Sequence, residues 1–254
     1  MIETERHETA IFRITLNRPE KRNALSFEMC RQLVRAFDEA EKDPAIRVVF
    51  LTANGNYFCS GMDLQELRDV DLDAVAHIHN AMFNVGKRLS KPIVAAVHGD
   101  ALAGGTGLVA NAHVVIAGPR VAFGLTEIKI GLWPFLIYKT VAEAIGDRRA
   151  TEWSLTGRSV DVEEARSAGL VHRICKNPYE SAFEVARAIA TSSKVAVSSG
   201  LSYIQQSRGK SWEESGKIGH LLRNEVMKSR EFSAGLQAFL EKRGVKPSPP
   251  PTAG

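Results

Sequence analysis

Three short stretches hold residues whose types and spacing suit proton transfer beside a developing negative charge. In Phe58-Cys59-Ser60-Gly61-Met62-Asp63-Leu64, Gly61 permits a backbone angle closed to most residues. It can turn the Met62 amide into a cleft while Asp63 caps a following helix. In the stretch 97–108 (VHGDALAGGTGL), Gly99, Gly104, Gly105 and Gly107 fall within nine residues. Glycines packed so closely after an apolar run let bare backbone approach a partner, and N–H groups at a helix start, Gly104 first, are donors for negative charge. In Phe123-Gly-Leu-Thr126-Glu127-Ile-Lys-Ile-Gly131 a lone carboxylate stands among apolar neighbours, where burial would raise its pKa towards the range of a useful base. Taken singly, each stretch also fits a plain structural part: a strand-to-helix turn, close helix–sheet packing, or a helix-start glutamate facing water. The GxGxxA match of Gly105-Thr-Gly107-Leu-Val-Ala110 to a dinucleotide fingerprint is accidental, because several residues separate it from the strand ending at Val97.

Other reactive side chains read more blandly. Cys59 has no histidine beside it in sequence, so it reads as packing. His77 and His79 lie two apart and cannot share a helix face, which argues against a metal pair. His98 reads as a local hydrogen-bond partner.

The elements that must position these residues follow from periodicity. Ala10, Phe12, Ile14 and Leu16 alternate with Ile11, Arg13 and Thr15 as in a half-buried strand, closed by Asn17-Arg18-Pro19. Ser26 can cap a helix whose apolar stripe runs through Met29, Leu33, Ala36 or Phe37 and Ala40, ending near Asp43-Pro44. Ile46–Leu51 reads as a strand covered on both faces, the mark of a parallel sheet. A helix with a polar break near Asp69–Asp73 is expected over 64–89, with strands at 93–97 and 112–117. The stretch 127–145 opens on an apolar loop with Trp133-Pro134-Phe135. A helix within 160–171 starts at Asp161 and stops at Gly169, and the pattern from Tyr179 to Arg243 is helical. Strand, helix and strand again predicts an α/β fold.

The totals agree. A chain of 254 residues with 44% hydrophobic and 24% charged residues can bury a sizeable core, and no apolar run reaches a membrane span. The acidic start MIETERHETA does not read as a signal peptide. Cys30, Cys59 and Cys175, three and unclustered, fit reduced thiols in a cytoplasm. Net charge is +4 with basic residues in pairs rather than runs, which suits a phosphorylated small molecule better than nucleic acid.

Jointly, FCSGMDL, AVHGDALAGGTGL and FGLTEIKIGL, with RPEKRNALS before them and LTGRSVDVEEARSAGLVHRI after, resemble the crotonase (enoyl-CoA hydratase/isomerase) superfamily from about Ile11 to Arg243. The resemblance implies a spiral of ββα units over 1–190, a C-terminal helical trimerisation region over 191–245 and a loose tail over 246–254. It further implies a homotrimer or hexamer, with no metal and no permanently bound cofactor. Its substrate would be an acyl-CoA thioester whose enolate oxygen is held by the amides of Met62 and Gly104, with Glu127 moving a proton.

Gly107 stands where enoyl-CoA hydratases typically carry a first glutamate. The single-glutamate pattern points first to Δ3-Δ2-enoyl-CoA isomerase, because moving a double bond needs one base whereas hydration divides naturally between two carboxylates. Alternatives are enoyl-CoA hydratase, hydroxycinnamoyl-CoA hydratase-lyase, or a catalytically weak CoA-binding relative. By motif position the coenzyme A moiety would meet Lys21, Arg22, Ala24, Leu25, Ser60, Asp63 and Leu64, and Phe239 and Lys242 would reach a neighbouring subunit's CoA. Phe83, Trp133, Phe135 and Tyr138 could shape an apolar acyl pocket.

Overall fold

A computed structural model describes residues 1–8, 10–66 and 71–241, and of Leu72 the backbone alone. It opens with β1 (Ile2–His7) antiparallel to β2 (Ile11–Leu16), then α1 (Phe27–Lys42). Three turns of a spiral follow. The first holds β3 (Val48–Ala53), β4 (Tyr57–Cys59) and α2 (Leu72–Phe83). The second holds β5 (Ile93–Val97), β6 (Asp100–Leu102) and α3 (Gly104–Ala110). The third holds β7 (Val114–Ala117), β8 (Ala122–Gly124), α4 (Phe135–Ile145) and α5 (Asp147–Thr156). The chain continues through β9 (Val160–Asp161), α6 (Val162–Ala168), β10 (Arg173–Ile174) and α7 (Pro178–Ala190) to α8 (Lys194–Ser207), α9 (Trp212–Lys228) and α10 (Arg230–Leu240).

Each turn gives its longer strand to one sheet, ordered β1-β2-β3-β5-β7-β10, and its shorter strand to a second, ordered β4-β6-β8-β9. In the first sheet every pair after β1·β2 is parallel. Phe12, Ile14 and Leu16 face the main core with Val49, Leu51, Ala95 and Val97. Ile11, Val48, Phe50, Val94 and Ala96 pack on the other face against Ala182 and Ala186 of α7. That second cover is why β3 is buried along its whole length, as parallel strands require, and it makes β2 more than half-buried.

Ser26 caps α1 by accepting the Met29 N–H, and Met29, Cys30, Leu33, Ala36, Phe37 and Ala40 are buried, as the apolar stripe predicts. Asp161 likewise caps α6, and Gly169 ends it at φ +98°. The expectations miss other elements. β1 has an exposed, mostly polar pattern without apolar alternation, and the short strands β4 and β6 lie in stretches read as loops. Of the helix expected over 64–89 the described residues show α2, followed by a 3-10 turn at Val85–Lys87, and 67–70, which takes in the start of the break expected near Asp69–Asp73, lies outside the described residues. So does the tail 246–254.

Helices α8 to α10 bury little among the described residues. Trp212 is 96% exposed, Phe239 75% and Leu240 70%.

Candidate active site

The first two motifs meet through backbone. Gly61 has φ +96°, and a Cβ there would stand 2.7 Å from the Ala103 Cβ and 3.3 Å from the Gly104 nitrogen. Only glycine fits both the angle and the space. Leu25 donates its N–H to Gly61 O (2.7 Å) and accepts from Asp63 N (3.0 Å), bridging Met62 as a strand residue would. Because Leu25 uses the groups on either side of it, the Met62 amide points the other way. Asp63, nearly fully buried, is held by Arg18 Nη1 at 2.6 Å and accepts from Gln65 N. Its carboxylate therefore braces the loop from behind.

Gly104 opens α3, where the first amides have no intrahelical acceptor. Its N-cap Ala103 sits at φ +51°, ψ −121°, a sparsely populated conformation costing on the order of 1–3 kcal/mol. Neighbouring contacts hold it there. Ala103 N donates to Gly124 O (2.8 Å), and the buried Thr106 Oγ1 lies 2.7 Å from Ala101 O and 3.0 Å from Gly124 O. Gly105 permits the close crossing of α3 on β4, since a Cβ there would meet Cys59 O at 2.2 Å. Among the described residues neither the Met62 nor the Gly104 N–H has a protein acceptor. Two converging, unpaired amides can hold an anionic oxygen.

Glu127 lies in a 3-10 turn, Thr126–Ile130, ended by Gly131 at φ +77°. Its Oε2 is buried without a hydrogen-bond partner, and burial pushes its pKa up to about 7. A carboxyl so tuned can both give and take a proton near neutral pH.

Met62, Gly104 and Glu127 line one cavity of about 280 Å³, together with Leu25, Ser60, Leu64, Phe83, Trp133 and Phe135. The other positions expected to matter lie elsewhere. Tyr138 is not in the lining: its hydroxyl is 2.8 Å from Thr151 Oγ1 and its ring packs on Trp133. Lys21 and Arg22 are exposed on a loop laced to the Met62 loop through Ser60 N to Arg22 O (3.1 Å). Arg22 stacks over Tyr57 and Lys21 reaches Gln65. Ala24 follows on that loop, its carbonyl accepting from Arg18. Phe239, on α10, stands apart from the cavity, and Lys242 lies outside the described residues.

Two features of the cavity are not legible from the motifs. His79 of α2 lines it, although its helical spacing from Phe83 could have drawn attention to it. Ile137 of α4 occupies the space before Gly107: a Cβ on Gly107 would stand 2.4 Å from Ile137 Cγ2 and 3.3 Å from Phe83 Cδ1. Among the described residues no His, Cys, Asp and Glu cluster could hold a metal.

A two-sheet spiral that brings paired free amides beside one buried carboxyl has the architecture of an enzyme able to steady a developing oxyanion next to a proton-transfer group. Residues 6–247 match the family model described as enoyl-CoA hydratase/isomerase. The chain is 34% identical over 253 residues to a putative enoyl-CoA hydratase of Thermus thermophilus, covering 96% of this chain and 98% of the relative. It is 30% identical over 248 residues to a trans-2-decenoyl-[acyl-carrier-protein] isomerase of Streptococcus mutans, covering 92% of each. It superposes on the crystal structure of an enoyl-CoA hydratase from Mycobacterium smegmatis with TM-score 0.92 at 28% identity, covering 96% of this chain and 98% of that one. The chain belongs to the enoyl-CoA hydratase/isomerase family and is an enzyme of that family.

Proposed function

We propose that this enzyme acts on enoyl-CoA thioesters, holding the thioester oxygen as an enolate between the Met62 and Gly104 amides while Glu127 moves a proton at the adjacent carbon. The observation that carries this reading is the juxtaposition of two unpaired amides with a buried carboxyl oxygen lacking any partner. Preorganised donors cost no reorganisation as charge develops on the oxygen. Coenzyme A is then part of the substrate and no permanent cofactor is needed.

Hydration and double-bond migration share this enolate. The hydratase names among the relatives favour hydration, which the sequence did not place first. Migration is the second reading, favoured by Gly107, whose space Ile137 fills, and by the isomerase relative. The deciding experiment assays crotonyl-CoA, 2-decenoyl-CoA and cinnamoyl-CoA for hydration and 3-enoyl-CoA for migration, with wild type and Glu127→Gln. Turnover that survives Glu127→Gln would remove Glu127 from its role.

Lys21 and Arg22, exposed beside the cavity loop, suit the CoA phosphates. Exposed Leu236, Phe239 and Leu240 on α10 suit a contact with further copies of the chain in a trimer or hexamer, with 191–245 as the assembly region. Three unpaired cysteines suit a cytoplasmic setting. Among the described residues no helix is long and apolar enough to cross a membrane.

A further inference from the structure

Hydration needs two proton transfers, one from water and one to carbon; Glu127 can serve the carbon, and α3 offers no group to take the proton from water. Gly107 carries no side chain, and Ile137 takes the space a side chain would need. The cavity nevertheless holds one further titratable side chain, His79.

Helix α2 turns Val75, His79, Met82 and Phe83 inward. His79 is 6% exposed, and its ring lies 5.8 Å from that of Phe83, the residue packed on both Gly104 and Gly107. It also borders a small void shared with Met62, Asp63 and Glu66, which places it on the oxyanion-loop side of the cleft. Among the described residues neither ring nitrogen has a protein hydrogen-bond partner. Neither nitrogen is among the fully enclosed side-chain atoms that lack a partner, so both stay open to water or ligand in the cleft, which can satisfy them.

We infer that His79 is the second proton-transfer group of this cleft, supplied from α2 in place of a carboxyl on α3, and that it lets the enzyme add water across an enoyl-CoA double bond. This rests on the enoyl-CoA reading above. A water hydrogen-bonded to His79 attacks the β-carbon. Its oxygen forms the new C–O bond as its proton passes to the imidazole nitrogen, and the π electrons move onto the thioester oxygen held by Met62 and Gly104. The enolate then collapses, taking the proton of the Glu127 carboxyl at the α-carbon. The imidazolium proton returns through cleft water to the Glu127 carboxylate, so both groups are restored and one water has been added.

The surrounding charges favour these roles. Of the carboxylates near His79, Asp63 is committed to Arg18 and Glu66 accepts from Phe27 N (2.8 Å). His77, on the same helix, is exposed. Burial lowers the His79 pKa and raises that of Glu127, so a neutral base and a protonated acid coexist near neutral pH.

The test compares wild type with His79→Gln in two assays: hydration of crotonyl-CoA, 2-decenoyl-CoA and cinnamoyl-CoA, and exchange of the α-protons of butyryl-CoA in D2O, which needs Glu127 and the amides alone. Hydration should fall on the order of 10²–10⁴-fold with exchange unchanged. Unchanged hydration, or parallel loss of both, overturns the inference. A wild type that exchanges yet hydrates none of the three also overturns it while leaving the enolate reading intact. No exchange, hydration or migration would sink the reading itself. If His79→Gln folds poorly, His79→Gly is assayed with added imidazole: recovered hydration supports the assignment and no recovery counts against it.

Discussion

Gly107 and Ile137, thirty residues apart in sequence, stand so close that a Cβ on the first would lie 2.4 Å from Cγ2 of the second. A missing carboxylate is thereby also a filled space. At an open helix position Gly→Ala gains about 1 kcal/mol, but overpacking a core costs ~1–3 kcal/mol. We expect Gly107→Ala to be destabilising in the wild type and stabilising in an Ile137→Ala background. A double-mutant cycle by urea unfolding should give a coupling of ~1 kcal/mol or more, and additive effects would contradict the packing described.

Glu127 ties stability to pH. Its pKa is raised to about 7 by burial, so between an ordinary carboxylate value and neutrality the folded state binds more protons than the unfolded one. Stability from this group is present at low pH and is lost as pH rises through that window. Glu127→Gln should therefore gain on wild type as pH climbs from ~4.5 to ~7, by on the order of 3 kcal/mol, and run parallel above it. Denaturant midpoints across pH measure the difference.

Gly61→Ala tests the meeting of the two amides. The substitution needs φ +96° and puts a methyl 2.7 Å from the Ala103 Cβ, so both loops must shift. Losing one preorganised donor costs ~2.7–4 kcal/mol in the transition state. We expect kcat to fall on the order of 10²–10³-fold with a smaller change in KM, read from steady-state kinetics on whichever enoyl-CoA is turned over.

Arg18 and Asp63 form a nearly buried pair behind the Met62 loop. Removing one partner of such a pair typically costs ~3–5 kcal/mol, whereas replacing both by apolar residues is often close to neutral. Asp63→Leu should be strongly destabilising, and Arg18→Met/Asp63→Leu should recover most of the loss in chemical denaturation.

By itself, the sequence determined what local pattern encodes. The alternation of Phe12, Ile14 and Leu16, the Ser26 cap, the Gly169 stop and the glycines around Met62 and Gly104 each state a backbone preference that tertiary packing did not override. The ordered motifs also brought Glu127 into view. Tertiary structure alone decided what fills the space between distant segments. It gave Gly107 to Ile137, Asp63 to Arg18 and Tyr138 to Thr151, and it put His79 into the cleft. It also built β1 from polar residues, because an edge strand needs a partner's hydrogen bonds rather than an apolar face. Such contacts depend on how helices and loops far apart in the chain come together, and no residue spacing records that.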